Sequence, residues 1–558
     1  MREDCQTWTK TAGMVLRITC SYQTFDPFCP HAPGSGDSKM GTGFLIELEG
    51  KVYVVTNHHV VSNFVTVHAD SPCFLDGEPK QLVVVGYNPY VDVALLMFRD
   101  ENYKTLLEKR KPVFKLKPPS SALSTDQNVK VLGFAGGTLR MHSTKGTISG
   151  REGRPNNRIQ TDAVVNPGNS GGPVLNSNGD VVGMVTSGMD DMQPTNFFVS
   201  SEAFQLSCGR ILEASKTSEP AVDLGYALNA VVVPVSREGS MADKGGALVV
   251  VAGENSSLEN GDVVLEVQGL GGEYLLVDAN MLVKEDKIWE EDLIDFRTIL
   301  DRLAFTDRKS WSLKVRRNGK IKEVSTTVGP SQLRYRDILP DCERREYVAV
   351  AGLVLQYLSQ THVDMRSDVC RLPLKEHMSS KVVITCVTSL SPFSHRDGME
   401  MGVVKAILRM EGDENNFLRT EITTLESVMT AVENVLRSSQ YLVFEFESGR
   451  REGINLKTLQ EYERTETDTL LQRGIHKVSP RGLLALQTTP GSMTPPCPDP
   501  VPSASLVSLS DQIPQEEVVF DRPPRTRPFL KNKRLDVIPS CATGVFAAIL
   551  VAFLTNRT

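Results

Sequence analysis

Three short segments carry residue types suited to acyl-transfer chemistry. Gly168-Asn169-Ser170-Gly171-Gly172-Pro173 sets one serine among glycines. A serine nucleophile needs a backbone tight enough to present its hydroxyl, with nearby amides free to face a developing oxyanion, and flanking glycines permit both. Upstream, Thr56-Asn57-His58-His59-Val60 follows the strand-like run Val52 to Val55, so a histidine stands at a strand end where a barrel opens. Between them Asp92 is a lone carboxylate in Tyr90-Val91-Asp92-Val93-Ala94-Leu95-Leu96. A charge in so apolar a run needs a partner, and a histidine ring N–H is a natural one. Base, orienting acid and nucleophile are thus all present.

The elements that must position these residues are mostly strands. Phe44, Ile46 and Leu48 alternate, Glu49-Gly50 makes a turn, and Val52 and Val54 resume the alternation, which predicts a hairpin. Val129 to Phe134 and Val181 to Val185 read the same way, so the first part of the chain is expected to be a β-barrel or sandwich. Beyond Ala214 an order of elements occurs twice. Strands at 247–251 and 263–267 precede Leu293, Phe296, Ile299, Leu300 and Leu303 at helical spacing, and a hairpin from Trp311 to Val324 turns at Asn318-Gly319. Strands at 349–355, 381–387 and 403–408 then precede a helix with Leu425, Val428, Val432, Val435 and Leu436, and a hairpin turning at Ser448-Gly449. The sequence therefore predicts two tandem β-rich modules, each with one helix before its last hairpin.

Sixty-one Lys and Arg against 68 Asp and Glu leave a net charge of −7, which gives no support to nucleic-acid binding. The ten cysteines form no Cys-x-x-Cys pair and no Cys/His cluster at zinc spacing, so neither a disulfide scaffold nor a metal site is expected. A polar opening, Met-Arg-Glu-Asp-Cys-Gln, lacks the apolar core of a secretory signal, and the expectation is an intracellular, reduced protein. Residues 485–536 read as a Pro-rich, basic linker. Val537 to Leu554 is uncharged and as a helix would cover about 27 Å, near the roughly 30 Å of a bilayer core. Pro539 opposes a span, and two readings stay open: a tail anchor in a membrane facing the cytosol, or a docked or unstructured tail.

The chain order His, Asp, Ser is that of chymotrypsin-like enzymes. Thr-Asn-x-His-Val, Asp-Val-Ala-Leu-Leu and residues 160–173, Gln-Thr-Asp-Ala-Val-Val-Asn-Pro-Gly-Asn-Ser-Gly-Gly-Pro, resemble the three catalytic segments of the HtrA/Deg serine proteases, and the two-module layout with a long insertion around 271–290 looks most like their plant and protist branch. The resemblance implies a mainly β chain with α+β modules: a chymotrypsin-like double β-barrel over 1–212, a PDZ domain over 213–332 and a divergent PDZ-like domain over 345–482. It implies His59 as general base, Asp92 as orienting acid, Ser170 as nucleophile, and the amides of Gly168 and Ser170 as oxyanion hole. A one-residue shift would instead give the base role to His58. Asp162 reads as structural.

Val164, six residues before the nucleophile, matches the base of the primary specificity pocket and implies small aliphatic residues there; Phe197 and Phe198 either narrow that pocket or pack in the barrel. Leu224-Gly225-Tyr226 resembles the loop with which PDZ domains hold a peptide's terminal carboxylate. The second module keeps only Ala351-Gly352-Leu353-Val354, so peptide binding and a role in assembly both stay open there. Implied partners are unfolded protein or peptide substrates and further copies of the chain, as trimers or multiples of them, with no cofactor. The alternative is a proteolytically weak chaperone or scaffold on the same fold.

Overall fold

The computed structural model describes residues 13–489 apart from 31, 33, 72–73, 75–76, 111–112, 117–122, 153–157, 189–195, 218–219, 236–244, 254–255, 285–292, 304–307, 309, 330–337, 340–344, 367–380, 411–416 and 463–486. The linker from 490 and the segment 537–554 lie outside the described residues.

Six antiparallel strands come first: β1 (Val15–Gln23), β2 (Gly36–Leu48), β3 (Lys51–Thr56), β4 (Phe64–Asp70), β5 (Lys80–Asn88) and β6 (Val93–Phe98). Their order is β5-β4-β1-β2-β3-β6, and β6 returns to β5, so the ring closes. The predicted hairpin joins β2 to β3 with Leu48 opposite Lys51. Leu45 and Val54 point into this barrel with Leu16, Ile18 and Leu96. Phe44, Ile46 and Val55 face the other way, into a core shared with Leu132, Phe134, Val181 and Met184 of the next domain. Strands buried on both faces read as nearly continuous apolar runs, which is why Val52 to Val55 carries no polar residue but Tyr53.

Next come β7 (Asn128–Gly133), β8 (His142–Glu152), β9 (Arg158–Thr161), β10 (Pro173–Leu175), β11 (Val181–Gly188) and β12 (Asn196–Ser200), closed in the order β10-β11-β12-β9-β8-β7. Val131, Ile148, Ile159, Val174, Val182 and Phe198 fill this second barrel. Among the described residues three α-helices accompany the barrels: α1 (His58–Val61), α2 (Glu101–Arg110) and α3 (Ser201–Ser215). Ser200 caps α3 by accepting from the Ala203 amide, and Phe204, Cys208 and Ile211 of α3 are buried in the seam between the barrels. Helix α3 crosses the expected boundary at 212, and β13 (Ala221–Val222) then adds to β5, so the barrels hold the chain as far as Val222.

The tandem order is realised in sheet topology. The first module holds β14 (Ala230–Pro234), β15 (Ala247–Ala252), β16 (Val263–Gln268), β17 (Tyr274–Leu276), β18 (Leu282–Lys284), β19 (Leu293–Asp295), α4 (Thr298–Leu303), β20 (Ser310–Arg317) and β21 (Lys320–Thr327). The second holds β22 (Arg345–Val350), β23 (Leu353–Tyr357), α5 (Gln360–Met365), β24 (Val382–Val387), β25 (Val403–Met410), β26 (Phe417–Glu421), α6 (Leu425–Ser438), β27 (Tyr441–Phe446), β28 (Arg451–Asn455) and β29 (Gln487–Thr489). The sheet orders β14-β15-β16-β20-β21 and β23-β24-β25-β27-β28 correspond strand for strand, with β17 on β16 and β26 on β25.

Three sequence expectations shift. Leu293 belongs to a strand, because the Asp295 carboxylate accepts from the Arg297 amide (2.9 Å) and turns the chain before α4 starts. The run 349–355 is two strands, folded at Ala351-Gly352 with φ of 53° and 74°. Gln487–Thr489, inside the stretch expected as linker, pairs with β22.

The second module is fastened to the first barrel. Gln356 Nε2 donates to the Pro27 carbonyl (2.9 Å) and bonds to Thr385 Oγ1 (2.6 Å), and the ring nitrogen Nε2 of buried His362 bonds the same carbonyl (3.0 Å). Phe28 packs on Leu358, Val363, Val383, Met401 and Val403, and the thiols of Cys29 and Cys386 meet beside it. Phe28→Ala should therefore raise amide hydrogen exchange in residues 356–363 and 382–387 while leaving the barrels protected. Unchanged exchange there would show that Phe28 does not hold the contact.

Candidate active site

Strand β3 ends at Thr56, and Asn57 turns the chain into α1. This helical turn, rather than a strand end, separates the two histidines: the His58 ring packs on Tyr87 at 4.8 Å, while His59 faces Asp92. Asp92 holds a φ of 62° at the start of β6, and Asn57 Nδ2 donates to its carbonyl (2.9 Å). Its carboxylate accepts from the His59 amide (2.9 Å), from His59 Nδ1 (2.8 Å) and from Thr186 Oγ1 (2.5 Å). Burial pushes the Asp92 carboxyl up, but the His59 charge and hydrogen bonds together with the Thr186 hydroxyl outweigh it and hold the group at about 2. An ionised carboxylate on Nδ1 fixes the proton there and leaves Nε2 as the free lone pair, the form a general base needs.

Ser170 lies on the loop between β9 and β10. A Cβ on Gly171 would sit 2.0 Å from the Thr42 carbonyl oxygen, and one on Gly168 2.4 Å from that of Phe134; both have positive φ, so the loop requires glycine there. The Ser170 hydroxyl donates to the Thr186 carbonyl oxygen (3.2 Å), not to His59.

The backbone around Ser170 is arranged for an anion. The Pro167 carbonyl accepts from the Gly136 amide (2.6 Å) and the Asn169 carbonyl from the Gly172 amide (2.9 Å). In a trans peptide the N–H points opposite to the C=O, so the Gly168 and Ser170 amides are aimed by the bonds made at the other end of their planes. Neither amide donates to any described residue. Two free backbone donors at and beside the serine are the group type that stabilises a tetrahedral oxyanion.

Val164 is 51% exposed, and its backbone is held by Thr144 Oγ1 on the Val164 carbonyl and by Asn196 Nδ2 on that of Ala163 (both 2.8 Å). Phe197 and Phe198 are buried, Phe198 inside the barrel. The Asp162 carboxylate accepts from the amide and hydroxyl of Thr147, a local tie between β8 and β9. In the loop Leu224-Gly225-Tyr226, the Gly225 amide donates to Asp223 (3.1 Å), and Arg210 both pairs with Asp223 (2.9 Å) and covers the Tyr226 ring (5.1 Å). One of that loop's amides is therefore engaged on the protease side. Among the described residues no group of three or more His, Cys, Asp or Glu is placed to hold a metal. Thr42 and Thr186, which tie these parts together, carried no signal in the sequence, being ordinary strand threonines.

Residues 41–184 match the trypsin-like peptidase domain family. Among curated proteins, the chain is similar to a probable periplasmic DegP-like serine endoprotease of Chlamydia pneumoniae (28% identical over 308 residues, 53% of this chain and 56% of that one). It is also similar to the serine protease Do-like HtrA of Bacillus subtilis (27% over 277 residues, 45% and 59%). Among solved structures, the HtrA-type protease AlgW with decapeptide matches 58% of this chain and 98% of that one at 20% identity and a TM-score of 0.43. The chain spans little more than half the length of those two curated relatives. Residues 41–184 form a trypsin-like peptidase domain. The named relatives to which the chain is similar are serine proteases of the HtrA/Deg type.

The depressed Asp92 carboxyl has a pH signature. Its folded value lies below the ordinary 3.8, so it contributes stability that is full above about pH 4 and lost as pH falls toward 2, on the order of 2 kcal/mol. Urea unfolding at pH 5 and pH 2.5 should show the wild type losing more stability than Asp92→Asn; equal losses would mean the carboxyl is not held low.

Proposed function

We propose that the protein is an ATP-independent serine endopeptidase that hydrolyses peptide bonds in unfolded or damaged proteins. The observation that carries this reading is the buried Asp92 carboxylate on His59 Nδ1, with Ser170 tied to the same Thr186 and flanked by two free amides. Ser170 attacks the substrate carbonyl as His59 Nε2 takes its proton; the Gly168 and Ser170 amides receive the oxyanion; His59 returns the proton to the leaving amine, and a water activated by His59 releases the acyl group. Asp92 holds the ring and stabilises the imidazolium. This chemistry uses no cofactor.

The two modules act as PDZ-like units. Leu224, Gly225 and Tyr226 of the first receive a peptide terminus, and their link through Arg210 to α3 connects that event to the barrels. In the second, Gly352 is crowded by Thr388, Ser391 and Tyr462, and Gln356 and His362 bind Pro27, which favours contact with the first barrel over peptide capture. Trimeric association, an intracellular location and the tail anchor at 537–554 rest on resemblance and sequence pattern. The weakly proteolytic chaperone is the second reading, favoured by the Ser170 hydroxyl resting on Thr186 rather than His59.

With casein as substrate, Ser170→Ala, His59→Ala and Asp92→Asn should each lower the rate by orders of magnitude, and not additively. Turnover retained in Ser170→Ala would end the protease reading, and an inactive wild type would favour the chaperone. The exposed Val164 side chain sets the pocket base, so mass spectrometry of digests should find cuts after small aliphatic residues, and Val164→Asp should weaken them. Cuts mainly after Lys or Arg would contradict this assignment.

A further inference from the structure

We infer that Thr42 is a positioning residue for the oxyanion site: its hydroxyl, reaching across from the first barrel, sets the peptide plane between the two amides whose carbonyl, among the described residues, no backbone donor holds. This rests on the proposed peptidase reading. Thr42 lies on β2 and is fully buried. Its Oγ1 donates to the Gly168 carbonyl (2.7 Å) and accepts from the Phe134 amide (3.0 Å). Its own amide donates to the Ser170 carbonyl (2.8 Å), and its carbonyl accepts from Thr56 Oγ1 (2.7 Å).

Three consecutive peptide planes span the site. Pro167–Gly168 is set by the Gly136 amide and Asn169–Ser170 by the Gly172 amide, both backbone groups of the second barrel or its own loop. The middle plane, Gly168–Asn169, is held at its nitrogen by the Asn166 carbonyl (3.0 Å) and at its oxygen by Thr42 Oγ1. A rotation of this plane changes ψ of Gly168 and φ of Asn169, and so the angle between the two flanking N–H groups. Glycine at 168, with φ of 96°, resists such a rotation least. The hydroxyl both donates and accepts here, so a methyl in its place strands the Gly168 oxygen and the buried Phe134 amide together.

The same residue joins nucleophile to base. Thr56 precedes Asn57, which donates to Asp92, which accepts from His59 and from Thr186, whose carbonyl accepts from Ser170; Ser170 returns to Thr42 through its own carbonyl. Thr42 enters this loop of bonds through its backbone amide and carbonyl, which a valine would keep; the hydroxyl alone makes the bonds to the Gly168 carbonyl and the Phe134 amide, so Thr42→Val isolates the side chain's part.

The test uses the full-length chain, with a chromogenic peptide ending in valine, and a peptide boronic acid as tetrahedral probe. Thr42→Val should lower kcat by about 10- to 100-fold with KM within about twofold, and weaken boronate binding by a similar factor, because only the tetrahedral state uses the amides. Thr42→Ser, which keeps the donor, should restore kcat to within about threefold of the wild type. A rise in KM at constant kcat, unchanged boronate affinity in Thr42→Val, or a Thr42→Ser variant as slow as Thr42→Val would each overturn the proposal. Should Thr42→Val fail to fold, Thr42→Ser decides: kcat and boronate affinity near wild type support the hydroxyl, and a tenfold loss in either sinks it. A wild type that neither turns over the peptide nor binds boronate, as Ser170→Ala should not, would instead remove the peptidase reading itself.

Discussion

The Asp92 carboxylate is a charge in the wall of a closed barrel, and most of the site follows from the need to satisfy it. An ionised group in that position is tolerable only when its oxygens are filled by donors of good geometry. The His59 amide, the His59 ring and the Thr186 hydroxyl supply them. The first two require the helical turn of α1, which carries His59 to the carboxylate and His58 to Tyr87. The third requires the second barrel to be docked, since Thr186 stands on β11. One electrostatic constraint thereby couples the tautomer of the base to the assembly of two domains.

The seam between the barrels is otherwise apolar, with Phe44, Ile46 and Val55 on one side and Leu132, Phe134 and Met184 on the other. Burial of such surface is strong but has no direction. Direction comes from the few polar groups embedded at its mouth, of which Thr42 makes four hydrogen bonds to three strands or loops. Polar groups fully satisfied in low dielectric fix relative position more sharply than apolar contact does. The nucleophile loop, rich in glycine and with little conformational preference of its own, inherits its shape from that frame.

The modules extend the same logic outward. Both have one sheet topology, yet they meet the barrels differently: the first through Arg210, Asp223 and Tyr226 beside α3, the second through Pro27 and Phe28 on the loop that leads into β2. Since β2 carries Thr42, the second module is fastened to the segment that precedes the oxyanion prop. Divergence of its Ala351-Gly352 turn, where Gly352 is closely packed, is consistent with a module kept for contact with the barrel.

What the sequence by itself determined is what neighbouring residues encode: the period-two strands, the turns at Glu49-Gly50 and Asn318-Gly319, the helix from Leu425, the repeated order of elements, and the types and chain order of His59, Asp92 and Ser170. Each is a local matter of side-chain alternation or positive φ. Even local signals misled where a single side-chain turn intervened, as when Asp295 turned the chain ahead of α4, or where two strands shared one apolar run, as at 349–355. Only the tertiary structure decided the partners: Thr186 for Asp92, Thr42 for Gly168, Pro27 for His362. These pairs lie 94, 126 and 335 residues apart. A threonine on a strand looks like any other until two barrels close and bring a carboxylate or a carbonyl within reach of its hydroxyl.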